Sequence, residues 1–316
     1  MYTLSAETVI PKYAFEPDEN SGNELFSIMH NYCSQGYYSK ADLLIPHRKD
    51  YYMLVFVKDG SSRHWIDMKP YTLKQNTLYF TVPHQVHLKE EPQPSTGTMI
   101  CFTNEFLSLE PNSLLKQLPI IQNLHNGHEL SLTPADVIFI EDVLGKIDTE
   151  YQAKNNWQNG MLLAYMQVLL IHLSRLYNEQ FKAIEPATDK HLLNRYLAKI
   201  NEAYKEVHEV SAYADMLNIS AGHLSEVVKE QSGKSAITHI HERIVLEAKR
   251  LLFHTENSIK ELSYQLGFED ASYFNRFFKR ITDLTPLEYR NSTREKYHWN
   301  LRAYSFTRNI SYTFVL

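Results

Sequence analysis

Hydrophobic residues gather in short runs through the first half of the chain and fall at helical spacing from about residue 111 onward. The runs YYMLVFVKDG (51–60), HWIDMKPYTL (64–73), NTLYFTVPHQVHL (76–88) and TMICFTNEF (98–106) are rich in aromatic and β-branched residues. Asp59-Gly60, Pro70, Asn76 and Pro83 punctuate them at short intervals. That pattern predicts short strands assembled into a sandwich or barrel. The segment EPQPSTG (91–97) reads as a loop between the last two strands.

Thr133-Pro134 is a helix-start signal, with Pro at the first helical position. It opens a predicted helix over 134–152, in which Val137, Ile140, Val143, Leu144 and Ile147 recur at spacings of three and four. A second helix is predicted over 157–180, apolar around much of its circumference. That width fits a helix packed both on its own domain and on a partner subunit, and it fits equally a helix that is simply buried. FKAIEPATD (181–189) reads as a linker, where Pro186 ends one helix and Thr188 or Asp189 caps the next. The chain thus divides into a β-rich domain (1–110), a helical segment (111–185), an all-α domain (186–290) and a tail (291–316) for which the sequence offers no physical account.

Within the all-α part, two segments about fifty residues apart share one pattern. A helix-turn-helix needs a small residue in its first helix, a turn residue that tolerates positive φ, and apolar positions that wedge the second helix. In 211–233 these are Ala214, Asn218, and Ile219, Leu224 and Val228. In 257–283 they are Ser263, Gly267, and Phe268, Phe274 and Phe278. Tyr273 and Phe277 are expected in the core beside them rather than stacked on bases. One helix over 235–255 joins the two units, with Ile237, Ile240, Ile244, Ala248, Leu251 and Leu252 on its inner face.

The run Ile259-x-x-Leu262-Ser263-x-x-x-Gly267-Phe268-x-x-x-Ser272-Tyr273-Phe274-x-x-x-Phe278-Lys279-Arg280-x-x-x-x-Thr285-Pro286-x-x-Tyr289-Arg290 resembles the signature of the AraC/XylS family of bacterial regulators. Leu224, Lys229, Gly233-Lys234-Ser235 and Glu247-Ala248-x-x-Leu251-Leu252 resemble the family's first unit and connecting helix. The resemblance covers about 190–290 and extends more weakly to 45–106, which is similar to the family's cupin-like ligand-binding domain. It departs where the family has Gly before Thr-Pro and this chain has Asp283.

The resemblance implies an α+β protein in which a cupin-like β domain and a helical, dimer-forming segment control an all-α reader of two successive major grooves of double-stranded DNA. It also implies RNA polymerase as a partner. Its base-facing positions fall on Gly222, Ser225 and Glu226 in the first unit, with Lys229 beside them, and on Ala271, Ser272, Asn275 and Arg276 in the second, with Lys279 and Arg280. Glu226 is placed to accept from cytosine or to repel phosphate. Asn275 and Arg276 are placed to read adenine and guanine, or to hold phosphates.

Charge sharpens this expectation. The net charge of the 316 residues is −5. Residues 1–186 hold 14 basic and 21 acidic side chains, 187–290 hold 14 and 15, and 291–316 hold 4 and 1. A DNA-binding region so nearly neutral must concentrate its positive charge on one face, as Arg276, Lys279 and Arg280 suggest.

The first half offers His47, His64, His84 and His87, the last in Pro83-x-x-x-His87, which is similar to part of the second cupin motif. The His-x-His of the first motif is missing, so no metal or other cofactor is expected. An effector pocket lined by some of these histidines with Tyr52, Trp65, Tyr79 and Phe80 is one reading; purely structural roles are another. Neither a phosphate loop nor a nucleophile motif occurs, which argues against an enzyme. A metal-dependent cupin enzyme fused to a DNA-binding domain, and a protein-interaction adaptor, are the rival classes. Cys33 and Cys101 match no ligand spacing and are expected reduced. No basic start followed by an apolar stretch opens the chain, and no apolar run is read as approaching a membrane span, so a cytoplasmic protein without membrane contact is expected.

Overall fold

The computed structural model describes residues 10–17, 22–30, 45–60, 63–91, 95–110, 114–123, 127–181 and 191–294. Cys33, the expected linker at 182–189 and the tail beyond 294 lie outside them. Two compact units are present, with the change falling between Asp189 and Lys190.

In its described residues the first unit holds two five-stranded sheets. One has the order β1 (Lys12–Tyr13), β3 (His47–Lys49), β8 (Val86–Glu91), β5 (Arg63–Ile66), β6 (Lys69–Thr72). The other has the order β10 (Glu129–Ser131), β7 (Thr77–Thr81), β4 (Tyr52–Gly60), β9 (Ser95–Phe102), β2 (Phe26–His30). All pairings are antiparallel except that of β1 with β3. Alternation along β4, β7 and β9 sends Leu54, Phe56, Leu78, Phe80, Ile100 and Phe102 to one face and Val55, Val57, Tyr79, Met99 and Cys101 to the other.

The expected strands are shorter and more numerous than their composition suggested. The run 64–73 is a hairpin, β5 to β6, that turns at Asp67 with φ 54°. Pro70 is tolerated because β6 is an edge strand, where a missing N–H breaks no ladder. The run 76–88 breaks at His84, φ 70°. Conversely, much of the predicted loop at 91–97 is strand, since β8 reaches Glu91 and β9 starts at Ser95. Gly97 lies inside β9 because a side chain there would collide with the Phe56 carbonyl oxygen of β4, beside a register shift between Val57 and Asp59.

Helices α1 (Asn104–Ser108), α2 (Leu114–Gln117), α3 (Pro119–Gln122), α4 (Pro134–Ala153) and α5 (Gln158–Phe181) follow or flank the last strands. Thr133 and Asp136 form the capping box that starts α4. Ile140, Val143, Leu144 and Ile147 of α4 join Leu162, Met166, Leu169, Leu170 and Leu173 of α5 in one core with the Leu54/Phe80/Phe102 face of the sheet. At 24 residues α5 is long and apolar enough to cross a membrane, contrary to the expectation that no run approached that length. The burial of its apolar residues in this core accounts for the composition.

The second unit is all-α in its described residues: α6 (His191–Ala203), α7 (Val210–Met216), α8 (Ala221–Ser232), α9 (Ala236–His254), α10 (Ile259–Gln265), α11 (Ala271–Thr282) and a last helical stretch over 286–294. Helix α9 contacts α6, α8, α10 and α11, and Ile240, Ile244, Ala248, Leu251 and Leu252 are buried along it. Its interior also holds charge. Glu247, 2% exposed, lies 3.4 Å from both Arg243 and Arg250, and the Arg243 guanidinium covers the Tyr204 ring at 3.8 Å.

Candidate functional site

Both helix-turn-helix units are built by the same local rules. In the first, α7 ends at Leu217, Asn218 takes φ 57°, and Ser220 caps α8 by accepting from the His223 N–H at 3.2 Å. Ala214, Leu217, Leu224 and Val228 are buried, which fixes α8 against α7. Ile219, the expected third wedge residue, is only half-buried. In the second, Ser258 and Glu261 form a capping box on α10, Ser263 is fully buried, and Gly267 takes φ 79°. Asp270 caps α11 by accepting from the Ser272 N–H at 2.6 Å, and Asp283 ends it at φ 64°. Asp283 thereby adopts the left-handed conformation the family gives to Gly, which Asp tolerates better than most residues.

These turns decide which side chains face outward. On α8, Gly222, Ser225, Glu226 and Lys229 are all exposed and lie at spacings of three and four. The Ser225 hydroxyl donates to the Ala221 carbonyl at 2.8 Å. On α11, Phe274, Phe277 and Phe278 are buried, while Ser272, Arg276, Lys279 and Arg280 are exposed on the outer side. Ala271 and Asn275 are partly buried, and the Asn275 amide donates to the Ala271 carbonyl at 2.8 Å. Tyr273 departs from its expected place in the core: it is 53% exposed on α11, with its ring centroid 6.0 Å from that of Phe268. Phe268 already fills the inner position, packed 5.2 Å from Phe274 and 5.1 Å from Phe277. The face of α11 therefore offers three cations and one aromatic ring, and α8 offers a single cation.

In the first unit, the structure brings together four of the eight candidate pocket residues. His47 and His87 stack at 5.7 Å. His64 and Ile66 occupy alternate positions on β5, and Ile66 pairs with His87. Tyr79 projects from the facing sheet, its hydroxyl donating to the Thr72 carbonyl at 2.6 Å. Burial and the nearby charges of Lys89, Lys49 and His47 push the His64 imidazole down to about 3, and burial followed by Lys49 pushes that of His87 well below its usual range.

The other four go elsewhere. Tyr52 is on the helix-facing side, stacked on Phe102 at 5.1 Å. Trp65 alternates with His64 and Ile66 and is buried on the opposite face of β5. His84 is exposed in a turn, its backbone N–H donating to the Lys49 carbonyl at 2.8 Å. Phe80, too, joins the helix-facing core.

The sequence pattern gave no notice of Lys49, Tyr71 or His128. Lys49 sits two residues after His47 on β3, so alternation alone puts both on one face. Tyr71 packs edge-on to both Tyr79 and His128. His128, 2% exposed, joins a polar chain: Gln85 lies 3.1 Å from its Nε2 and 3.4 Å from Asp67, and Asn123 links its Nδ1 side to the Tyr177 hydroxyl of α5. Its position before β10, remote in sequence from the other histidines, carried no signal.

Comparison with known proteins matches the same two regions. A helix-turn-helix domain family model matches residues 213–292, and an AraC-like ligand binding domain model matches residues 33–138. The chain is 25% identical over 252 residues to the transcriptional activator RhaS of Escherichia coli K12, covering 77% of this chain and 86% of that protein. It is 24% identical over 250 residues to RhaS of Enterobacter sp. strain 638, with 77% and 86% covered. Among solved structures, fatty-acid-bound ToxT of Vibrio cholerae is similar at 16% identity and TM-score 0.35, over 85% of this chain and 95% of that one. The C-terminal domain of the response regulator YesN of Fusobacterium nucleatum is similar at 32% identity and TM-score 0.29, over 30% and 93%. With a paired helix-turn-helix unit C-terminal to an AraC-like ligand-binding domain, the chain belongs to the AraC/XylS family of DNA-binding transcription regulators.

Proposed function

We propose that the chain is an effector-controlled transcription activator whose α11 supplies most of the specific DNA contact. The observation that carries this reading is the division of α11 into an inner face of Phe274, Phe277 and Phe278 and an outer face of Arg276, Lys279 and Arg280. Rigid packing of the inner face fixes where the cations point. Arg276 reads a guanine edge; Lys279 and Arg280 hold phosphates. Asn275 contributes less to adenine readout, because its amide is engaged by the Ala271 carbonyl. Helix α8, with Gly222, Ser225, Glu226 and Lys229, seats the protein more than it reads bases.

The chain works through residues 1–110 as effector domain, 111–185 as the dimer-forming segment and 186–290 as DNA reader. It acts in the cytoplasm as a homodimer, engages RNA polymerase, and has no enzymatic activity of its own. Met161 and Val168 of α5, 40% and 49% exposed, supply apolar surface for the dimer contact. An effector controls DNA binding by favouring one arrangement of the domains over another.

The test is a mobility shift with the DNA upstream of the protein's own gene, at fixed salt, comparing the parent chain with Arg276→Ala and with Lys279→Ala/Arg280→Ala. Loss of the shifted complex in these variants supports the reading. A parent chain that shifts no DNA would instead favour a protein-interaction role, for which the cation-poor face of α8 is the supporting feature.

A further inference from the structure

The face of β3, β8 and β5 that looks onto the Val55/Val57/Met99 cluster carries a cation that no anion matches among the described residues. Lys49 is 5% exposed. Facing its ammonium are the Met53 thioether at 3.3 Å, the Tyr51 ring at 5.7 Å and the Cys101 thiol. Burial pushes that thiol up to about 11, so it is uncharged at neutral pH and gives Lys49 no counter-charge. Asp67, the buried acid of the β5–β6 turn, is committed to the Val86 N–H at 3.0 Å and to Gln85 at 3.4 Å. His47, His64 and His87 lie within electrostatic reach of one another and of Lys49. His87 is 7% exposed, and its Nε2 has no hydrogen-bond partner among the described residues. A buried ammonium whose hydrogen bond goes only to a thioether, and a buried ring nitrogen with no partner among the described residues, are each unfavourable in an apolar surround, and a structure that keeps both on one face is organised around something that completes them.

We infer that the interior of the β sandwich is a carboxylate site, in which Lys49 supplies the charge and His87 a hydrogen bond, while Val55, Val57 and Met99 receive the apolar body of a small organic acid. This rests on the reading of the first unit as an effector-binding domain and names the class of effector. A single negative charge is the match for Lys49, because the His64 and His87 imidazoles are held neutral by burial and by the neighbouring lysines, and Lys89, the second of those lysines, is only half-buried. A phosphate dianion would leave a buried excess of negative charge, and a neutral polyol would leave the ammonium unbalanced.

The experiment uses the full-length chain, calorimetry and thermal unfolding at constant ionic strength, with acetate, hexanoate and benzoate as probes against hexanamide, benzamide, inorganic phosphate and the neutral polyol glycerol. The expected result is binding of at least one organic carboxylate, at least tenfold tighter than its amide and than phosphate, with proton uptake that differs between buffers as Lys49 becomes fully charged. Lys49→Met is expected to weaken that binding at least tenfold and, without ligand, to raise the unfolding temperature of the first unit, because it removes an unbalanced buried charge. No carboxylate binding, equal binding of acid and amide, preference for phosphate or glycerol, or a Lys49→Met chain that binds the acid unchanged or unfolds earlier would each overturn the inference. None of these readouts uses DNA, so a failure of DNA binding is separable.

Discussion

Gly267 lies directly against the Lys205 carbonyl: a Cβ at position 267 would collide with that oxygen, and the residue holds φ 79°. The second helix-turn-helix is thus locked to the loop after α6 by the absence of a side chain. Gly267→Ala combines left-handed strain of about 1 to 2 kcal/mol with a backbone collision. It is expected to destabilise the second unit by at least that amount, read as a lower denaturation midpoint. At the equivalent turn Asn218 already carries a side chain at φ 57°, and Asn218→Gly is expected to shift the midpoint little.

Arg276 sits on the outer side of α11, with no ion pair among the described residues. If it reads a guanine, Arg276→Ala weakens specific binding by about 1 to 3 kcal/mol and relaxes preference at one base pair. Lys279→Ala, acting on a phosphate, should weaken all sequences alike and reduce the slope of log affinity against log salt by about one. Titrations at several salt concentrations separate the two. The near-neutral charge of 187–290 predicts a modest slope overall.

Glu247 is the anion between Arg243 and Arg250 inside α9. Glu247→Ala would leave the buried Arg250 and the half-buried Arg243 guanidinium groups without it, and removal of one partner from such a cluster destabilises by about 3 to 5 kcal/mol. Because α9 contacts helices of both helix-turn-helix units, one cooperative loss is expected by circular dichroism, rather than fraying of a single helix.

Acid should weaken the first unit before it affects the carboxylates. His64 and His87 are held neutral in the fold, His64 down to about 3, whereas in the unfolded chain each takes up a proton near 6.5. Their contribution is therefore complete above about pH 6.5 and falls as pH drops below it, by up to about 1.4 kcal/mol per pH unit for each ring. Denaturation midpoints between pH 8 and 5 test this, and His64→Gln should flatten the dependence.

Much of the second unit was legible in the sequence because its determinants are local. Capping residues, a left-handed turn residue and apolar spacing act within a few positions, so Ser263, Gly267, Phe274 and Phe278 could be assigned from spacing alone. Tyr273 reads as a core residue in the sequence because it stands four residues before Phe277; only the packing of Phe268 against Phe274 and Phe277 leaves it outside. In the first unit, composition indicated strands but not where Asp67 and His84 would break them, nor that Gly97 belongs to one.

Local signals in the chain sufficed for the β-then-α order, the paired helix-turn-helix units and the cationic residues of α11. Which of the scattered histidines meet, and that Lys49 stands among them while Tyr52 and His84 do not, depended on tertiary packing. Helix signals are written within one or two turns, whereas the face a strand residue occupies depends on register with partners such as β3, β5 and β8, which lie far apart in the chain.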